Sequence, residues 1–130
     1  MSEQIQNAKI KSTFLGVEDH GILTFWLYLE FDGSGQGFGG WALDGRPANG
    51  YGDRVPTEGC GAIVAALLNT LGVDSWEKLP GQIVRVRGDH SGLSAIGHAL
   101  KDRWCVPKEL FAAARSTPGP RGASPEGETE

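Results

Sequence analysis

Cysteine is scarce in this chain. Cys60 and Cys105 are the only two, and they form no Cys-x-x-Cys pair. That argues against a disulfide framework, and neither thiol has zinc-ligand spacing with a histidine. Free, buried thiols in a reducing compartment are the expectation. Long apolar runs are missing too: no window approaches the roughly 20 residues a membrane span needs. The segment from Met1 to Asn7 is polar and lacks the apolar stretch of an export signal. These absences point to the cytoplasm and to no membrane partner. Nor is there an excess of positive charge. The formal net charge is −4, which excludes the broad basic footprint of a duplex-DNA binder and leaves room for a local basic patch.

Recognisable catalytic settings are absent as well. Serines, acids and three histidines are present, but no nucleophile elbow sets them in a local arrangement. Gly35-Gln36-Gly37-Phe38-Gly39-Gly40 matches G-x-G-x-x-G. A dinucleotide site needs a helix that opens within those glycines, with its N-terminus on the pyrophosphate. Here Trp41-Ala42-Leu43-Asp44-Gly45-Arg46-Pro47 follows and breaks before a helix forms, and there is no Walker lysine. The expectation is a protein that binds without catalysing, and without a cofactor.

Glycine is what the chain has in plenty. Twenty of 130 residues favour one domain with many turns and close backbone approaches over a helix bundle. Ala8–Leu15 alternates, with Ala8, Ile10 and Phe14 on one side and Lys9, Lys11 and Thr13 on the other. Ile22–Phe31 alternates most strongly. Leu23, Phe25, Leu27, Leu29 and Phe31 form its core face. Ile22, Thr24, Trp26, Tyr28 and Glu30 form the other, where two large rings carry polar handles. Either the C-terminal segment covers those rings or they make a binding platform. Gln36–Leu43 reads as a third strand weakened by Gly37, Gly39 and Gly40. Such glycines signal a bulge, a sharp bend or a group pressed against the backbone.

Residues 44–56 form a long loop. Thr57 reads as the N-cap of a helix whose stripe is Ile63, Val64, Leu67, Leu68 and Leu71, ended by Gly72. Asp74-Ser75-Trp76-Glu77 has the form of a capping box opening a short turn, with Trp76 plugging a barrel end. Gln82–Arg87 is a fourth strand, Val84 and Val86 inward, Arg85 and Arg87 outward. A fifth lies within Leu93–Trp104, with Ile96, His98 and Leu100 on one face and His98 hydrogen-bonded there. Lys108–Arg115 makes a short helix. Residues 1–7 are then an N-terminal extension, 8–115 a single domain and 116–130 a disordered tail.

The order strand, strand, strand, helix, strand, strand resembles the OB-fold, a five-stranded partly open barrel. The fold class is mainly β, of α+β type. It is a small OB-like barrel or strongly bent antiparallel sheet, with one helix between strands three and four. In OB-folds the loops joining strands one to two and four to five flank the binding face. Here those loops are spelled almost alike, Glu18-Asp19-His20-Gly21 and Gly88-Asp89-His90-Ser91-Gly92. The expectation is that both emerge on a common rim. Candidate binding residues are therefore Asp19, His20, Asp89 and His90, the rings of Trp26, Tyr28, Phe38 and Trp41, and the cations Arg85 and Arg87. An edge left open by the bent third strand would allow a homodimer in place of a monomer.

Three segments also resemble a family of small, functionally uncharacterised proteins encoded by bacteriophages and prophages. They are residues 12–24, Gly35-Gln36-Gly37-Phe38-Gly39-Gly40, and Ile96-Gly97-His98-Ala99-Leu100-Lys101-Asp102-Arg103-Trp104. The resemblance spans residues 5–107 and transfers no catalytic roles. It implies a non-catalytic accessory protein in a bacterial host, one that recognises a host macromolecule or a nucleotide-like ligand and extends to countering a host defence. Two alternatives stand beside it. Aromatic rings near Lys9, Lys11, Arg85 and Arg87 would suit single-stranded nucleic acid. Convergence of the Asp-His turns on a divalent ion would suit a metal-dependent hydrolase.

Overall fold

The alternation of residues 23–31 is met from Phe25 to Glu30 in the computed structural model, which describes residues 4–47, 49–89 and 91–116; Thr24, expected outside, is buried. Strand β2 (Leu23–Phe31) buries Phe25, Leu27 and Leu29 on one face. It lies between β1 (Gln4–Val17) and β3 (Ser34–Gly39). On the other side of β1 stand β6 (Ile83–Asp89), β7 (Gly92–His98) and the two-residue β8 (Trp104–Cys105). Every pairing is antiparallel, and the sheet order is β3-β2-β1-β6-β7-β8. β3 and β7 approach each other but do not pair, so the sheet stays open. Within the long loop, β4 (Asp44–Gly45) and β5 (Val55–Pro56) form a small second sheet.

Helix α1 (Cys60–Leu71) falls between β3 and β6, as its stripe predicts, and buries Ile63, Leu67 and Leu71. These join Phe25, Leu27, Val84, Val86 and Ile96 in one core. Gly72 closes the helix in the left-handed region, φ 77°, its N–H bonded back to Leu68 and Asn69 carbonyls. The N-cap is Gly59, two residues past the expected Thr57. Asp74 caps nothing: its carboxylate takes the Lys78 ammonium at 2.7 Å, and the short 3-10 turn Trp76–Lys78 has no side-chain cap. Trp76 meets Phe25 edge-on at 6.1 Å. Helix α2 (Pro107–Ser116) ends the described chain; it takes in Ser116, the first residue of the tail expected over 116–130, and the rest of that tail lies outside the described residues.

Three further expectations change. Gln4–Asn7 are strand, paired with Gly88–Arg85, and do not form an extension. The third strand stops at Gly39, because Gly39 and Gly40 take φ of 144° and 90° and turn the chain away. The third change lies in β1, whose register shifts between Ile10 and Ser12. One extra residue exchanges the two faces beyond it. Phe14, expected inside with Ile10, therefore stands opposite Trp26 on the outer face and is exposed.

Candidate binding face

The outer face of β1–β2–β3 is built around Trp26. Trp26 and Tyr28 are two residues apart on β2 and so share a face. Their rings lie 6.2 Å apart and 11° from parallel. Across the sheet, Gly37 and Gly39 stand opposite Tyr28 and Trp26. A Cβ added at Gly37 would lie 2.9 Å from the Trp26 ring, and one at Gly40 2.7 Å. The indole occupies the space where β3 side chains would stand, which explains the glycines of the third strand. Tyr28 is 43% exposed and Trp26 half-buried. Phe14 extends the aromatic strip onto β1.

Trp26, Tyr28, Phe14 and the β1–β2 turn border a shallow hollow of about 420 Å³. Asp19 and His20 stand on its rim, both exposed, and His20 Nδ1 lies 3.3 Å from Glu18 Oε1. On its far side Tyr28 borders a second depression of about 440 Å³, which runs past Lys11 and Gln36. The two form one shallow track along β2, with exposed Lys9 and Lys11 beside it.

Other expected site residues lie elsewhere. Phe38 is 1% exposed, opposite Leu27 on the core face. Trp41 stacks on Phe25 at 5.9 Å and meets Phe38 edge-on at 5.4 Å, so both belong to the core. The reason is the turn at Gly39 and Gly40, which swings Trp41 back over the interior. Arg85 and Arg87 point outward from β6, but over Trp104: each guanidinium carbon is 5.0 Å from that ring's centroid. Arg85 also donates from Nε to His98 O and from Nη2 to Lys101 O, both at 2.8 Å. It clamps the turn after β7 and is committed there. Sequence reading missed Trp104. Its signal was Gly97, over which the indole lies as Trp26 lies over Gly37.

The register also separates the two turns. Val17, at the end of β1, leads into the turn with Asp19 and His20. Gly88 and Asp89 lie by Gln4, at the start of β1. Thirteen steps of strand, about 40 Å of path, stand between. Asp19 and Asp89 therefore adjoin opposite ends of β1, and His90 lies outside the described residues. Asp89 does turn chemistry: its carboxylate accepts from the Ser91 N–H and hydroxyl, and its carbonyl accepts from Gln36 Nε2 at 3.0 Å. That last bond ties β3 to the β6–β7 tip, a role for Gln36 the sequence did not signal. Among the described residues no three of His, Cys, Asp and Glu gather as a metal site.

Remaining titratable groups serve the framework. Asp44 Oδ1 accepts from Leu23 N–H and from Arg54, whose hydrogen bond holds the carboxyl below its usual range. Both cysteines are free thiols, and burial pushes Cys105 up to about 11. No described helix is long and apolar enough to cross a membrane. No family model matches the chain, and neither the curated proteins nor the solved structures yield a match.

Proposed function

We propose that this chain is a non-catalytic binding protein that takes planar rings, above all the bases of single-stranded nucleic acid, on the outer face of β1–β2–β3. The observation that carries the reading is the stacked pair Trp26 and Tyr28, 11° from parallel, with Phe14 on the same face. Stacked rings on one strand face offer aromatic surface against which bases can pack. Each stacked base is worth about 1–3 kcal/mol. The strand order supports it further. β3-β2-β1-β6-β7, with a helix between β3 and β6, is the order of an OB-fold opened between its third and fifth strands. Lys9 and Lys11 supply cations beside the rings. With a net charge of −4 few phosphates are neutralised, so binding is modest and weakly salt-dependent. The resemblance of its segments to phage-encoded proteins supports reading such a module as an accessory protein in a bacterial host.

The test is a fluorescence titration with a labelled oligothymidine at two salt concentrations. Micromolar binding that Tyr28→Ala weakens about tenfold, the loss of one stacked base, is expected. Arg85→Ala, remote from the strip, leaves it within about twofold. Absence of binding at low salt, or equal loss in both variants, overturns the reading.

A further inference from the structure

Beyond Lys9, β1 has a neighbour on one side only. β6 pairs with Gln4–Lys9, and the contact closes with Ile10 N–H on Gln82 O and Gly81 N–H on Ile10 O. From Ser12 to Val17, β1 pairs with β2 alone among the described residues. Glu18 N–H donates to Ile22 O, toward β2. Alternate residues of an antiparallel strand point their N–H and C=O to the same side. Those of Thr13, Leu15 and Val17 therefore point away from β2, to the open side. Leu15 and Val17 are 42% and 62% exposed. Ser12–Val17 contains neither a charge nor a proline, the devices that normally guard an edge.

We propose that this edge pairs antiparallel with the same edge of a second copy, about a twofold axis at Leu15. The occupant follows from charge and register. Outward-pointing residues must face one another across a ladder. Setting Leu15 opposite the partner's Leu15 puts Thr13 opposite the partner's Val17. It also brings Lys11, the extra residue of the bulge, near the partner's Asp19, just past the end of its strand, and by symmetry does so twice. A slip of two residues one way sets Asp19 against the partner's Thr13; the other way carries it to the partner's Lys9, whose outer side β6 already fills. The twofold axis stands normal to the sheet, so both aromatic strips face the same way. The third strand is an edge too, as expected from sequence, with Gln36 bonded across to the Asp89 carbonyl. The pairing stands whether or not the aromatic strip binds bases.

Sedimentation velocity of the full chain decides the matter, from about 1 to 500 µM, the range in which a small interface associates. A reversible dimer is expected. Leu15→Pro removes only an outward N–H, so it should give a monomer with an unchanged circular dichroism spectrum. Lys11→Glu and Asp19→Lys should each weaken the dimer about three- to tenfold, and the double variant should restore it. A monomer throughout, a dimer indifferent to Leu15→Pro, or a double variant that fails to restore association overturns the proposal.

Discussion

Gly37 and Gly40 carry more of this structure than any charged side chain. Each leaves room for the Trp26 indole, and a methyl group at either would meet the ring inside 3 Å. Gly40 also holds φ at 90°, where a side chain is strained. Alanine at either position should cost about 1–3 kcal/mol, the range of an overpacked site. Trp26 would lift from the sheet and its emission shift red. Gly61 is the contrast: it is helical, and nothing lies within 4 Å of where its Cβ would be. Gly61→Ala should stabilise by about 0.5–1 kcal/mol. Urea titrations of the three variants check both signs. The sequence marked the glycines as a bulge, a bend or a close approach. Gly37 proves to be a close approach, and Gly39 and Gly40 a bend as well. The ring pressing on them comes from a neighbouring strand, which spacing along the chain does not encode.

Among the elements, the turn after β7 is the pH-sensitive one. His98 Nδ1 accepts from the N–H groups of both Leu100 and Lys101, at 3.0 Å each, so it must be unprotonated. Burial, then the charges of Arg103, Lys101 and Arg85, push this imidazole below its ordinary value of 6.5. The unfolded chain therefore binds the proton more readily. The contribution to stability is full above pH 6.5 and is lost as pH falls through the lower folded value. Thermal melts should show the melting temperature dropping across that interval, and His98→Gln should flatten the drop. A hydrogen-bonded His98 was legible from sequence, although Leu100, expected on its face, lies past the strand and is 89% exposed; α1 and β2 were legible too, their periodicities being long. The reversal of Phe14 was not. A bulge is a property of two paired strands, and alternation read along one strand cannot reveal it.

At the scale of the whole molecule, α2 fastens the open end of the fold. Phe111 packs against Gly59, where a Cβ would lie within 3 Å of its ring, and faces Trp41 at 6.5 Å. Trp41 in turn covers Phe25 and Phe38. Phe111→Ala should therefore destabilise the entire domain by about 2–3 kcal/mol, the lower part of the range for aromatic truncation because the ring is only half-buried. Loss should be a single transition by both circular dichroism and tryptophan emission.

The sequence by itself determined the mainly-β composition, the position and C-terminal end of α1, the core face of β2 and the ring-bearing face opposite. All of these are periodicities or caps, which near neighbours in the chain enforce. Only the tertiary structure decided which rings are buried, which arginines are committed and how far apart the two similar turns fall. Those depend on which strands lie side by side and in what register, and pairing between distant segments is set by the fit of the whole core.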